Sequence, residues 1–156
     1  MIDAMEQQPR TLQVFSAGSA QFAVFADEVM TIAEWREPAV LPHAPTAVLG
    51  VVSIHGRLLT VLDLSQLLER LQRSDRPSHI LVLRGDEQLA LAIDGPGETI
   101  ELDDTEANGD FEGAPEANGK LIAGVITYNG DEIKILNVKE LFATAIQGRE
   151  RRRRRF

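Results

Sequence analysis

Two β-rich stretches of this chain repeat in the same order, and that repetition restricts the fold more than any other feature. At a spacing of 67 residues, Gly18, Gln21, Ala23 and Asp27 meet Gly85, Gln88, Ala90 and Asp94. At a spacing of 74, Gly50, Val51 and Gly56 meet Gly124, Val125 and Gly130. Val61, Leu62 and Leu67 then fall on Ile135, Leu136 and Leu141. Two hairpins and a following helix matched in one order indicate an internal duplication.

Each half reads as short strands around turn residues. In the first, Leu12 to Phe15 and Gln21 to Phe25 flank Ala17-Gly18-Ser19, a hairpin by composition. Val29 to Trp35 gives a third strand, and Glu37 to Pro45, with three prolines, an extended connector. Val48 to Ile54 and Leu58 to Leu62 flank His55-Gly56-Arg57, and Leu64 to Leu71 carries one helical apolar stripe. In the second half, Ile80 to Leu83, Gln88 to Ile93 and Thr99 to Leu102 are strands. Leu121 to Tyr128 and Glu132 to Leu136 flank Asn129-Gly130, a strong hairpin signal. Val138 to Ile146 is a final helix. Five short antiparallel strands expose edges unless the sheet curls. The expectation is therefore an all-β chain of two five-stranded barrels sharing apolar surface, with a short helix after each half.

The 156 residues are 44% hydrophobic but only 5% aromatic, so aliphatic side chains must fill the core. There is no cysteine, which excludes disulfides and thiolate chemistry. Residues 1–9 are polar and acidic, with no apolar stretch of a signal peptide, and 47–54 is too short to cross a bilayer. A soluble, cytoplasmic protein is expected. The net charge of −8 is uneven: six arginines against Glu150 put +5 on residues 149–156 and leave −13 on residues 1–148. An acidic body argues against a nucleic-acid-binding globule. The Arg run, within 147–156, is expected to be a disordered solvated tail, screened at physiological salt if it folds back on the acidic loop. That loop, Glu98 to Glu116, holds eight carboxylates and no base.

No catalytic constellation is legible. His43, His55 and His79 lack the spacing of a helical metal site. Asp104, Glu106, Asn108 and Gly109 imitate the start of a calcium loop, but Pro115 stands where its bidentate glutamate belongs. No metal, cofactor or enzymatic activity is expected.

The central segment narrows the reading. It runs Leu41-Pro42-His43-Ala44-Pro45, then Leu49-Gly50-Val51-Val52-Ser53-Ile54-His55-Gly56-Arg57-Leu58-Leu59-Thr60-Val61-Leu62-Asp63-Leu64. With Ala90 to Asp94, Ile122 to Val125 and Ile135 to Val138, it resembles the CheW-like family of bacterial chemotaxis adaptors over roughly residues 11 to 145. The resemblance implies a CheW-like domain over 11–146, made of two intertwined SH3-like barrels (roughly 12–71 and 79–146) that exchange strands. It implies a non-enzymatic adaptor that binds the regulatory domain of a CheA-type histidine kinase and the cytoplasmic tips of chemoreceptors. The alternative is a module of the same family in another assembly, such as pilus motility, or one that binds kinase without typical receptor coupling.

The family motif Gly-Val-x-Asn-x-Arg-Gly is Gly50-Val51-Val52-Ser53-Ile54-His55-Gly56 here. The family's Arg commonly pairs with a Glu on the third strand, and the matching position is Thr31. Both members are thus replaced together, which avoids an unpaired charge. The resemblance makes Thr31, Trp35, Ser53, His55, Gly56 and Arg57 the partner-binding candidates. Asp63 and Asn137 precede helices and are expected to cap them. Gly95-Pro96-Gly97 stands where the family has an apolar strand start, so an interrupted ladder is expected there.

Overall fold

The computed structural model describes residues 10–68, 77–102, 106–107, 121–141 and 143–144. The first half supplies β1 (Thr11–Ala17), β2 (Ala20–Phe25), β3 (Val29–Glu34), β4 (Val48–Ile54), β5 (Arg57–Leu62) and the helical turn α1 (Leu64–Leu67). The second supplies β6 (His79–Leu83), β7 (Leu89–Ile93), β8 (Gly95–Glu101), the two-residue β9 (Glu106–Ala107), β10 (Ile122–Tyr128) and β11 (Asp131–Leu136). Residues 138–141 and 143–144 form the closing helix α2.

The two halves exchange hairpins. One sheet has the order β3-β6-β7-β5-β4, the other β8-β1-β2-β11-β10-β9. The first barrel (barrel B) thus joins three strands of the first half to the β6–β7 hairpin of the second. The other (barrel A) is built in reverse. The register shows the duplication residue by residue. Gly50 faces Val61 and Gly124 faces Ile135, each one step past a bulge. The parallel contacts repeat too, with Val61 beside Ala90 and Ile135 beside Ala23. The β6–β7 hairpin is one residue shorter than its counterpart, because Val82 pairs Ala90 where Val14 pairs Ala23.

Three apolar clusters account for the strand composition. Leu12, Val14, Ala23, Ile100, Ile126, Ile133 and Ile135 fill barrel A. Val52, Ile54, Leu59, Val61, Ile80, Val82 and Ala90 fill barrel B. A larger cluster, with Phe15, Phe22, Leu62, Leu81, Leu91 and Leu136, lies between the barrels. Strands β1, β2, β6 and β7 contribute to a barrel interior with one face and to the inter-barrel core with the other. Strands buried on both faces read as nearly continuous apolar runs, which is why Ile80-Leu81-Val82-Leu83 shows no polar alternation.

The irregular ladder expected at Gly95-Pro96-Gly97 is present: Gln13 faces Thr99 but Phe15 faces Pro96, so Gly97 and Glu98 together stand opposite Val14. Gly95 faces Ser16 and Pro96 faces Phe15, with a bulge between Gln13 and Phe15. Strand β8 is an edge strand, where a proline costs no ladder bond on the open side. Gly97 is required there, because a Cβ would lie 2.9 Å from the Val14 carbonyl oxygen.

The cap expected at Asp63 is present: Oδ1 accepts from the Ser65 backbone N–H at 3.0 Å and from the Ser65 hydroxyl at 2.7 Å. At Asn137 the backbone repeats the arrangement, its N–H donating to Leu121 O at 2.7 Å as Asp63 N–H donates to Ala47 O at 2.8 Å. Asp63→Ala is expected to lower stability by about 1 kcal/mol, read from the urea midpoint at unchanged m-value. No shift would show that α1 is held by Leu64 packing alone. The calcium-loop imitation and the Arg run lie outside the described residues, except for Glu106–Ala107, which pair with Thr127 and Ile126. Among the described residues no helix is long and apolar enough to cross a membrane.

Candidate protein-binding surface

The β4–β5 hairpin projects most of the candidate residues. His55 and Gly56 both take positive φ, 52° and 78°, the values that Asn129 and Gly130 repeat at 52° and 83°. Two residues with positive φ make the turn whose twist matches the flanking strands. His55 therefore stands where the second half has an asparagine, exposed at the tip. Gly56 has no atom within 4 Å of where a Cβ would stand, so the turn demands its backbone freedom and not space.

The remaining candidates are tied to this hairpin by two arginines. Arg36 Nη1 donates to the Ser53 carbonyl at 2.7 Å, fastening the chain after β3 to β4. Arg57 Nη1 donates to Met30 Sδ at 3.0 Å, crossing to β3 at the residue before Thr31. Thr31 itself faces Val82, at the bulge between Val29 and Thr31. Trp35 follows β3, half-buried against the barrel B core, and its backbone N–H donates to Ser78 O at 3.0 Å. All six candidates thus lie on β3, the chain just after it, and the β4–β5 hairpin.

Position 55 itself carries a histidine. A guanidinium still reaches the third strand, supplied by Arg57 two residues further along. Arg36 and Arg57 thus place two guanidinium groups at this end of the barrel. The β2–β3 corner is set by Glu28, whose Oε1 accepts from the Phe25 backbone N–H at 3.1 Å. Burial raises the Glu28 carboxyl above its usual range, opposed by that backbone bond.

Sequence reasoning missed the apolar part of the surface. Among the described residues four large hydrophobic side chains are exposed: Met30 (36%), Val40 (81%), Leu41 (41%) and Leu58 (60%). All belong to the first half. Val40 and Leu41 follow Ala39, which is held to Val51 by reciprocal backbone bonds of 2.8 and 2.9 Å. Leu58 pairs with Ser53 across the hairpin. Their signal was faint: in β5 Leu58 alternates with the buried Leu59 and Val61, so period-two reading puts it outside. Among the described residues no three His, Cys, Asp or Glu side chains gather as a metal site.

The chain resembles known proteins along most of its length. The chemotaxis protein CheW of Rhizobium meliloti is 24% identical over 135 residues, covering 85% of this chain and 87% of that one. The probable chemotaxis protein CheW of Rhizobium etli is 21% identical over 144 residues, covering 91% and 93%. The crystal structure of the scaffolding protein TtCheW from Thermoanaerobacter tengcongensis superposes with a TM-score of 0.70 at 18% identity, over 83% of this chain and 90% of that one. The model of the CheW-like domain matches residues 11–145. With both exchanged barrels inside that match, this chain belongs to the CheW-like domain family.

Proposed function

We propose that this chain is a chemotaxis coupling adaptor, working in the cytoplasm without chemistry of its own. It binds the regulatory domain of a CheA-type histidine kinase and, through the β3–β4–β5 end of barrel B, the cytoplasmic tips of chemoreceptors. The observation that carries this reading is the family match across both barrels, and the relatives with which it aligns are named for chemotaxis. A pilus-motility assembly is not favoured. The exposed Met30, Leu58, Val40 and Leu41 supply the apolar centre that a docking patch needs. Arg57 and Arg36 supply charge for register. The direct test is a pull-down with the host's own kinase regulatory domain and receptor tip, offered separately. Failure of both would end the adaptor reading.

Receptor binding is expected to be weaker than kinase binding, because Thr31 carries no charge. Thr31→Glu should strengthen binding to a receptor tip about two- to fivefold, the range of an exposed ion pair. Arg57, already at β3, is the partner. The gain should disappear in Thr31→Glu with Arg57→Ala, while His55→Arg should add less than Thr31→Glu. A double-mutant cycle on receptor-tip affinity decides it. Coupling near zero between positions 31 and 57 would show that they do not carry the contact.

A further inference from the structure

The duplication puts two corresponding ends on the molecule, and their charges are opposite. In barrel B, Arg57 spans from the hairpin to Met30. In barrel A the position 74 residues on is Asp131, and the position 67 residues after Thr31 is Glu98. Both line an open cleft of about 310 Å³ at the mouth of that barrel. Its floor includes Val14, Phe15 and Ile133, with Tyr128 beside them. None of the described residues lining it is basic. One copy of the fold thus carries a guanidinium that crosses from its hairpin to β3. The other has two carboxylates at the corresponding positions and no guanidinium.

We propose that this cleft is a docking site for guanidinium groups, and that its occupant is the chain's own Arg149–Arg155 run. The chemistry matches on three counts. Glu98 and Asp131 complement the charge of the run. Tyr128 offers an aromatic ring on which a guanidinium can stack. The apolar floor suits the aliphatic stems of arginine. The tether is long on the scale of a small fold. Arg152 stands eight positions beyond Thr144, the last described residue, and eight residues span up to roughly 28 Å. A domain of roughly 100 residues has a radius of gyration of only about 13 Å. Tethering puts the run near the cleft at an effective concentration of about millimolar, which a weak, salt-sensitive contact needs. A partner's basic segment would have to displace it. The inference stands apart from the adaptor reading, since it concerns the opposite barrel and needs neither kinase nor receptor.

The test uses the full chain and its lack of cysteine. Phe156→Cys takes a single nitroxide label, and paramagnetic broadening is read on the backbone amides. The expected result is broadening concentrated at Ser16, Gly95, Gly97 and Asn129. It should fall severalfold at about 1 M salt, where the Debye length is about 3 Å. It should fall equally in Glu98→Gln with Asp131→Asn, an isosteric pair of changes at exposed positions. Substituting Gln for the six arginines should abolish it. Three outcomes would overturn the proposal: broadening spread evenly over the surface, broadening centred on 103–116 and indifferent to Glu98→Gln with Asp131→Asn, or broadening that persists only when labelled and isotope-enriched chains are different molecules. The last would mean that a second copy's tail fills the cleft.

Discussion

Phe22→Ala is expected to lower the stability of the whole chain by about 3–5 kcal/mol, in one transition. Phe22 is 1% exposed in the inter-barrel core. Its ring stacks on Phe15 with centroids 5.9 Å apart. It lies on β2, which pairs with β1 on one side and with β11 in parallel on the other. Truncation removes apolar contact from a close-packed site whose neighbours are sheet-bound and cannot collapse into the void. The informative readout is the single tryptophan. Trp35 packs on barrel B, whereas Phe22 belongs to a strand of barrel A. Trp35 fluorescence and far-ultraviolet circular dichroism should shift together to lower urea, because each barrel contains a hairpin of the other half. A Trp35 transition that stays at the native midpoint would mean that the barrels unfold independently.

Gly50→Ala should cost about 2–4 kcal/mol, left-handed strain combined with overpacking. Gly50 has φ +150°. A Cβ there would stand 2.3 Å from the Ala39 carbonyl oxygen and 2.9 Å from Pro38 Cβ. Neither can yield easily, because Ala39 is bonded to Val51 in both directions. Relief of the clash must detach the segment that presents Val40 and Leu41, so partner binding should fall along with stability. Gly56→Ala is the control. It has positive φ but no atom within 4 Å, so only conformational strain of about 1–2 kcal/mol is expected. Equal losses at the two positions, measured by urea unfolding, would show that backbone conformation matters and the Ala39 contact does not.

Much of the candidate surface was legible in sequence because it lies in one segment. Ser53, His55 and Gly56 fall inside the one motif that carries the resemblance, and Arg57 follows it on the same hairpin. Thr31 and Trp35 required the family resemblance, since nothing local marks them. Met30, Arg36 and Leu58 escaped. A methionine before a bulge and an arginine after a strand acquire meaning only when Arg57 is seen at Met30 Sδ and Arg36 at the Ser53 carbonyl. The reading of Thr31 and His55 considered that pair alone, and the spacing of the sequence does not bring Arg57 to β3, where its Nη1 meets Met30 Sδ. A guanidinium is long enough to serve a neighbouring position, and sequence alignment has no measure of reach.

From the sequence alone came the strands, the turns and the duplication. These depend on local sterics and on period, and both are properties of adjacent residues. The spacings of 67 and 74 survive in the register to the residue at Gly50 and Gly124. What only the tertiary structure decided was which half closes which barrel. A hairpin such as β1–β2 presents apolar residues on both faces and edges that β3 or β8 could equally cover in outline. The choice of β8 over β3 is made by the inter-barrel core, where Phe15, Phe22, Leu81 and Leu91 are buried together. That burial is non-directional and summed over distant residues, so no stretch of sequence carries it, and it forms only once both halves are in place.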